Sequence, residues 1–269
     1  RGHDLYTPGV TSGGQRLNEA LEYVEENLNY SDPFGANTYI AYAKGLNKAF
    51  KSHKEKLGRT INYGCTSHMS TVDSEGNMVS LTYTLLNRFG SKVVLPRTGV
   101  LMNNSVSYFD PRPGYPTSMA GGKRINSSNM CPTICVKNGE AKFAVGASGA
   151  NHIVPCTMEL TAFLIDYGLS LEDAFNLPRI DVNETDLITV DPNLGEETIN
   201  QLSRYFKINV AQNLVFPKLY SCPSGVYRDN KKGKTYGISD KNSPSSGAVS
   251  EGLHDFTETA QGMSNVPRA

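Results

Sequence analysis

The sequence predicts an α+β protein, in which helices and strands form separate layers. Strand-like runs occur in hairpins before and after helical segments and do not alternate regularly with them, which disfavours a doubly wound sheet. The 269 residues are 38% apolar and 19% charged, a composition that allows a sizeable core. Basic and acidic residues number 26 each, so no excess positive charge is available to bind a general polyanion such as nucleic acid.

Two amphipathic helices are predicted in the first 57 residues. Loop residues rich in proline and glycine extend to residue 14, after which Leu17, Leu21 and Val24 recur on one helical face. Polar, turn-forming residues 27–35 end this helix. A second helix, from Thr38 to about Leu57, repeats apolar side chains at a spacing of three and four and ends in lysines, which suit the negative end of the helix dipole.

The central element of the prediction is a hairpin that follows these helices. Residues 66–72 and 78–85 are two strand-forming runs, and the turn residues Ser, Glu, Gly and Asn separate them. In the register that places Val72 opposite Met78, Thr84 lies directly opposite Thr66. Sequence alone leaves this register open by about one residue.

A long loop and a second hairpin are predicted in the middle of the chain. Residues 99–104 predict a short strand and a loop, and three prolines in residues 109–116 exclude a helix there. The loop continues through residues 121–124. Residues 133–136 and 141–145 flank an Asn-Gly turn, the usual tip of a two-residue hairpin.

Small residues 146–151 connect the second hairpin to a helix that is predicted from His152 to Tyr167. A strand, a small-residue loop and a helix in succession direct backbone N–H groups toward a developing anion. The capping box at residues 170–173 opens another short helix.

The last third of the chain is predicted to contain strands at residues 187–190 and 208–210 and a helix at residues 196–205. The basic run at residues 231–234 is interpreted as a solvated turn. Beyond Lys231 the chain is rich in glycine, serine and asparagine, and we expect it to form loops or to fray.

The cysteine pattern limits the kinds of metal site to be expected, and the absence of long apolar runs argues against a membrane protein. Cys131 and Cys135 form the closest pair of five cysteines, but no histidine or cysteine cluster completes a zinc site, so we expect buried thiols and no metal. No apolar run approaches the roughly 18 residues that span a bilayer. The first residues lack the apolar stretch of a secretory signal, which predicts a cytoplasmic protein without a membrane partner. Because the chain begins without an initiator methionine, we interpret it as a fragment of a longer precursor.

Several motifs, in a fixed order, resemble one protein family. Residues 66–68 (Thr-Ser-His), 82–85 (Thr-Tyr-Thr-Leu) and 89–90 (Phe-Gly) resemble the start of the small subunit of γ-glutamyltranspeptidases, which are N-terminal-nucleophile hydrolases. Further similar segments follow at residues 99–104, 122–124, 127–133, 146–149 and 174–179. Residues 8–14 and the two predicted helices resemble the end of the large subunit. The resemblance extends over nearly the whole chain to about residue 205.

The resemblance implies a four-layer αββα sandwich of the N-terminal-nucleophile hydrolase type. Residues 1–65 would be the helical end of the large subunit or pro-region, and residues 66–269 the small, catalytic subunit. Together they would form one αββα domain. The partners implied are a small-molecule amide substrate and the large subunit of the same precursor, with further dimerisation open. No cofactor is implied.

The resemblance also implies a mechanism that begins with self-cleavage between Cys65 and Thr66. The freed Thr66 would use its Oγ as the nucleophile and its own α-amine, with a reference pKa of roughly 7.7–8.0, as the base. Thr84 would hydrogen-bond to Thr66, and the amides of Gly149 and Ala150 would form the oxyanion hole. Cleavage before Cys65, which would expose a thiol nucleophile, is an alternative.

The substrate-binding segments are where this sequence departs from the family pattern. The family usually has an asparagine two residues after the second threonine, where this chain has Leu86. Its Asn-Asn-Gln-x-x-Asp segment, which binds the substrate α-amino group, corresponds here to residues 103–108, with Asn104 and Ser105 retained as candidates. Tyr108 replaces the carboxylate. An ammonium without its counter-charge costs several kcal/mol in a partly buried pocket.

The carboxylate end of the substrate has two candidate contacts by the same resemblance. The family's serine pair corresponds either to Ser127 and Ser128 or to Ser128 and Asn129. The loop around Arg112 resembles a branch that includes amidases and acylases for small carboxylated amides, and either Arg112 or the pair Lys123 and Arg124 could bind a substrate carboxylate. The alternative is that Arg112 only holds the loop in place.

Three hypotheses about function follow. The first is an enzyme of the γ-glutamyltranspeptidase family that hydrolyses an amide or transfers its acyl group. The second is an amidase or acylase without γ-glutamyl specificity. The third is an unprocessed, inactive homologue with a binding or structural role.

Overall fold

A computed structural model describes residues 1–9, 12–28, 30, 33–57, 64–109, 113–114, 118, 128–182 and 186–251 of the chain. Its helices are α1 (Gly14–Asn27), α2 (Ala36–Leu57), α3 (Ile153–Asp166), α4 (Leu171–Asn176) and α5 (Glu196–Ser203). Its strands are β1 (Asp4–Tyr6), β2 (Thr66–Val72), β3 (Met78–Thr84), β4 (Thr133–Lys137), β5 (Glu140–Ser148), β6 (Ile180–Val182), β7 (Leu187–Val190), β8 (Lys207–Val210), β9 (Cys222–Asp229) and β10 (Lys234–Ser239). The α+β prediction is confirmed.

The largest sheet has five antiparallel strands in the order β1-β4-β5-β9-β10. Its β4–β5 hairpin turns at Asn138 and Gly139, both with positive φ as this turn requires, so the second predicted hairpin is confirmed. Residues 143–147 of the central strand β5 are all buried. A strand buried at consecutive positions has both faces covered, which makes this sheet the middle layer.

The β2–β3 hairpin covers one face of this middle layer. Its register pairs Thr66 with Thr84 and Val72 with Met78, as predicted. Alternate side chains are half-buried toward β5 and β9, where Ser80 Oγ donates to the carbonyl of Val145 at 3.2 Å. The guanidinium of Arg228, on β9, donates to carbonyls of the hairpin turn and fixes its far end.

Helices cover the other face of the middle layer. Helix α3 packs on β5, and α1 and α2 pack on each other with α1 against α3. Leu17, Leu21 and Val24, the predicted apolar face of α1, are all buried in the core. The described residues therefore supply a helical layer and two packed sheets.

A smaller sheet of β6, β7 and β8 lies beside the helices, and β7 and β8 run parallel. The strands predicted at residues 187–190 and 208–210 are both present. Helix α5, between them, ends at Ser203, two residues earlier than predicted. Ser170 Oγ accepts from the amide of Asp173 at 3.1 Å, which confirms the predicted cap of α4.

Two expectations about local structure are wrong. Residues 99–102 form a single bridge, Leu101 to Val94, and not a strand. The chain beyond Lys231 does not fray at once, because β10 pairs with β9 over six positions. The turn before it, with Lys231 and Lys232 exposed, is as predicted.

Two general properties complete the description. All five cysteines are free thiols; Cys65 is exposed and the other four are buried, as expected for the pair Cys131 and Cys135. Within the described ranges, no helix has both the length and the apolar character needed to cross a bilayer.

Candidate active site

The two threonines singled out by the sequence lie side by side at one end of the hairpin. Thr66 is the first residue of β2, Thr84 is the last of β3, and the antiparallel register places them opposite each other. Thr66 Oγ1 donates to Thr84 Oγ1 at 3.1 Å. Both side chains are half-buried on the face directed toward the middle sheet.

The hydroxyl of Thr84 uses its full hydrogen-bonding capacity at this point. It accepts from Thr66 Oγ1 and from the amide of Leu86 at 2.9 Å, and it donates to the carbonyl oxygen of Cys65 at 3.3 Å. One donated proton and two accepted ones are what a hydroxyl can offer. The Thr84 side chain is therefore fixed against the peptide bond between Cys65 and Thr66.

The carbonyl of Cys65 receives a second donor, the amide of Leu85, at 3.2 Å. Two donors on one carbonyl oxygen stabilise negative charge that develops there when the carbonyl carbon is attacked. The amide of Cys65 donates to the carbonyl of Leu86 at 2.8 Å, which aligns the chain on both sides of this peptide.

Leu86 adopts an unusual conformation next to the threonines. Its φ is +68° and its side chain is 1% exposed, so backbone strain and burial coincide at this position. The bend brings Asn87 to Asn104, whose Oδ1 accepts from the Asn87 amide at 3.0 Å. The predicted candidate Asn104 is thereby placed beside the end of β3.

A cleft of about 570 Å³ opens beside the Cys65–Thr66 peptide and is lined by Gly64, Cys65, Leu86, Asn87 and Arg88. Arg88 is exposed there, and no residue of the described ranges forms a hydrogen bond or ion pair with its guanidinium. Sequence analysis missed Arg88. Its position in the loop directly after the second threonine was the available signal.

The predicted oxyanion residues form a turn between β5 and α3, which we call the oxyanion loop (residues 149–151). Gly149 has φ +135° and Ala150 has φ +54°, both in the region that favours glycine. The loop faces the segment that contains the predicted cleavage site, because a Cβ on Gly64 would lie 3.2 Å from the amide nitrogen of Ala150. The structure thus brings together the two predicted parts of the site.

Two hydrogen bonds and an ion pair hold the ends of the oxyanion loop. Ser221 Oγ donates to the carbonyl of Ser148 at 2.6 Å, and Asn129 Nδ2 donates to Asn151 Oδ1 at 2.6 Å. His152 Nδ1 lies 2.8 Å from Asp181 Oδ2. Burial lowers the pKa of His152, but the hydrogen bond and the charge of Asp181 outweigh burial and raise it overall.

His68, which matches the family motif, occupies a structural position. Its ring contacts Thr82 Oγ1 at 2.8 Å and Ser70 Oγ at 3.0 Å, and burial lowers its pKa to about 4. A Cβ on Gly146 would lie 2.3 Å from the ring. His68 is therefore a neutral side chain that packs between the two sheets.

The other predicted substrate residues are distributed more widely. Ser105 and Tyr108 lie on a 3₁₀ turn; Tyr108 is 7% exposed and its pKa is raised by burial. Ser128 and Asn129 are both buried, and the Ser128 hydroxyl accepts from the amide of Met130. Their roles in substrate binding stay predictions.

Several predictions fall outside the described residues. These are the roles of Arg112 and Ser127 and the basic residues at 123–124.

A further residue that sequence analysis missed is Arg16, which is fully buried and contacts Asn129 and Ser128. The available signal was its place on the apolar face of α1, where a charged residue interrupts the stripe.

Comparison with known proteins identifies the family. The family Gamma-glutamyltranspeptidase matches residues 19–250. The chain is 35% identical over 175 residues to the glutathione hydrolase proenzyme of Escherichia coli (strain K12), covering 59% of this chain and 30% of the relative. It is 41% identical over 186 residues to the acylase ACY 1 proenzyme of Pseudomonas sp. (strain SE83), covering 64% and 33%.

Among solved structures, cephalosporin acylase from Bacillus halodurans has the same fold, with a TM-score of 0.76 at 22% identity. The match covers 90% of this chain and 50% of the acylase chain. This confirms the predicted fold of the N-terminal-nucleophile hydrolase type. The chain spans about a third of the length of the curated relatives named above. Because the family match covers most of its residues, this protein belongs to the γ-glutamyltranspeptidase family.

Proposed function

We propose that this protein cleaves its own chain between Cys65 and Thr66 and then uses Thr66 to cleave amides. The observation that carries the proposal is the pairing of Thr66 Oγ1 with Thr84 Oγ1, 3.1 Å apart, beside the doubly hydrogen-bonded carbonyl of Cys65. A nucleophile, a group that orients it and donors on the carbonyl oxygen are the parts that acyl transfer requires.

Self-cleavage would proceed by attack of Thr66 Oγ on the carbonyl carbon of Cys65. The negative oxygen that forms is stabilised by the Thr84 hydroxyl and the Leu85 amide. The C–N bond then breaks, the proton from Thr66 Oγ passes to the nitrogen of Thr66, which becomes a free α-amine, and an ester links Cys65 to Thr66 Oγ. Water hydrolyses this ester, which leaves a carboxylate at Cys65 and restores the hydroxyl of Thr66.

Amide turnover would use the freed α-amine as the base. It removes the proton from Thr66 Oγ as the oxygen attacks the substrate carbonyl, and the Gly149 and Ala150 amides stabilise the resulting oxyanion. The amine product leaves with the proton. Water, or a second amine, then cleaves the acyl ester and regenerates Thr66.

The decisive experiment is the intact mass of the purified full-length protein and of its Thr66 variants. We expect two chains that separate between residues 65 and 66, an uncut and inactive Thr66→Ala variant, and a cut, active Thr66→Ser variant. A parent protein that stays uncut would overturn the proposal and favour an inactive homologue.

A second candidate, an acylase for small carboxylated amides without γ-glutamyl specificity, is favoured by the substrate side of the site. Tyr108 is buried where the family pattern has a carboxylate, so an α-ammonium group lacks its counter-charge. The acylase relative at 41% identity is consistent with this reading. Arg88, in the cleft beside Cys65, offers a guanidinium for an acyl carboxylate.

An amide panel distinguishes the two candidates. We expect small dicarboxylic monoamides to be cleaved more efficiently than γ-glutamyl-p-nitroanilide, and Arg88→Gln to raise KM for the carboxylated amides about tenfold. Arg97→Gln, at an exposed position outside the cleft, is the matched control. Efficient release of nitroaniline would refute the argument from Tyr108.

The large part of the same precursor is the partner that we propose for this chain. Four apolar side chains on the outer face of the β2–β3 hairpin are 45–55% exposed: Met69, Val79, Leu81 and Tyr83. A contiguous apolar face of this kind is characteristic of an interface. The chain spans about a third of the length of the relatives, and under this proposal the part of the precursor that corresponds to the rest of that length covers this face.

A further inference from the structure

A buried relay of three side chains connects helix α1 to the oxyanion loop. Arg16, which is 0% exposed, donates from Nη1 to Asn129 Oδ1 at 2.7 Å. Asn129 Nδ2 donates to Asn151 Oδ1 at 2.6 Å, and both asparagines are 4% exposed. Asn151 directly follows Gly149 and Ala150, so the relay ends next to the amides of the oxyanion hole.

The direction of the relay follows from the chemistry of arginine. A guanidinium carries only N–H donors, so Asn129 must present its amide oxygen to Arg16. The NH₂ group of Asn129 then faces Asn151, which must present its own oxygen. Arg16 therefore determines the orientation of both side-chain amides, including the one attached to the oxyanion loop.

The start of helix α1 is fixed to the same segment through its backbone. The amide of Gly13 donates to the carbonyl of Met130 at 2.9 Å, and Arg16 Nη2 donates to the carbonyl of Ser128 at 2.8 Å. A Cβ on Gly13 would lie 2.5 Å from the carbonyl oxygen of Asn129, so the contact admits no side chain. These contacts hold the start of α1 and the Arg16 guanidinium against residues 128–130, in addition to the hydrogen bond between Arg16 and the Asn129 side chain.

The oxyanion loop needs such support because its backbone is strained. Positive φ values at Gly149 and Ala150 persist only where the surroundings enforce them. Ser221 and Asp181 hold the loop from residues that follow it in sequence. The relay from Arg16 is the restraint that comes from the segment before the cleavage site.

We propose that Arg16 is a positioning residue for the oxyanion loop and acts through Asn129 and Asn151. The segment that precedes the self-cleavage site thereby contributes to the catalytic geometry of the segment that follows it. This inference rests on the proposed function, since it assigns the role of the loop that the proposed turnover uses.

The test compares three variants of the full-length protein with the parent. Arg16→Met removes the donors, whereas Arg16→Lys keeps a donor-only cation and should restore part of the effect. Asn151→Leu keeps the size of the side chain but offers no oxygen to Asn129 Nδ2, so it breaks the relay at its second step and leaves the hydrogen bond between Arg16 and Asn129 intact. Leu21→Ala, in the same helix, is the control for general destabilisation.

Two readouts are measured: kcat with KM, and hydrogen–deuterium exchange of the peptide that contains residues 149–152. Misplacement of catalytic groups by about 1 Å costs on the order of 100-fold. We therefore expect kcat to fall about 10- to 100-fold in Arg16→Met and Asn151→Leu, with KM unchanged. Exchange of this peptide should accelerate in both variants and not in Leu21→Ala. Self-cleavage should stay complete, because Thr84 and Leu85 hold the Cys65 carbonyl.

If the parent protein does not turn over amides, hydrogen–deuterium exchange still tests the relay. Failure of the relay can therefore be told apart from failure of the proposed function. Parental exchange at residues 149–152 in Asn151→Leu would overturn the relay. The relay would also be overturned if Leu21→Ala reproduced the change, because the effect would then be loosening of α1.

Discussion

Thr84 joins the proposed nucleophile Thr66, the end of β3 and the carbonyl of Cys65 through one hydroxyl group. We predict that Thr84→Val, which keeps the shape and removes the hydroxyl, slows self-cleavage at least about 100-fold, because an oxyanion donor is lost. The uncut fraction, followed over time by intact mass, measures this. Thr84→Ser retains the hydroxyl and should cut at nearly the parental rate. Parental cutting by Thr84→Val would exclude a role of this hydroxyl.

Ala150 carries a side chain in a conformation that suits glycine. Its φ of +54° costs an alanine roughly 1–2 kcal/mol, part of which is offset because glycine makes the unfolded chain more flexible. We predict that Ala150→Gly raises the free energy of unfolding by up to about 1 kcal/mol in urea denaturation. Ala144→Gly, in the middle of β5, is the control and should lower it. A destabilised Ala150→Gly variant would contradict the strain argument.

At the residue scale, sequence reasoning predicted that the two threonines lie side by side, which the structure confirms, and missed the buried residues that contact the predicted site. The threonine pair followed from the family motif and from hairpin register, both of which are local in sequence. Arg16, 113 residues from Asn129, could not be connected to the site from the sequence, because a contact of that separation depends on packing.

Helix α3 begins at an ion pair whose strength depends on pH. Burial and the charge of Lys218 lower the pKa of His152, but the hydrogen bond to Asp181 and its charge outweigh both and raise it overall. The folded state therefore binds this proton more tightly than the unfolded state. The resulting stability is fully present below about pH 6.5, the unfolded value, and is lost as the pH rises through the higher folded-state pKa.

We therefore predict that Asp181→Asn reverses this dependence. With the charge of Asp181 removed, burial lowers the folded-state pKa of His152 below 6.5, and protonation then favours unfolding. The variant's stability relative to the parent should increase from pH 5 to pH 8 in urea denaturation. An NMR titration of His152 gives the two pKa values directly, and equal values would refute the prediction.

At the element scale, the errors in the secondary structure predicted from the sequence have identifiable physical causes. β9 contains Pro223 and Gly225, which disfavour a strand, yet it lies between β5 and β10 in the sheet. Pro223 is accommodated because the β10 ladder begins only at Ser224. β10 has few apolar residues and forms because β9 offers it a strand to pair with. Such strand pairing depends on tertiary structure, and the periodicity of apolar residues in the sequence hardly reflects it.

The outer face of the β2–β3 hairpin supplies a prediction about the whole molecule. If the rest of the precursor covers this face, Leu81→Lys would bury an unpaired charge and lower the free energy of unfolding of the full-length protein by about 2 kcal/mol or more. Val210→Lys, at a 52%-exposed position on β8, is the control and should change it by less than about 0.5 kcal/mol. Equal effects of the two substitutions would show that the face is not covered.

The sequence by itself determined the family and the principal elements of this protein. The family motifs and the alternation along residues 66–85 determined the threonine pair, since strand register and turn chemistry are encoded over short distances. Only the tertiary structure decided which groups surround this pair: the donors on the Cys65 carbonyl, the strain at Leu86 and Ala150, and the relay from Arg16. These depend on the packing of segments that are far apart in the chain, and burial there fixes hydrogen-bond partners that no local pattern specifies.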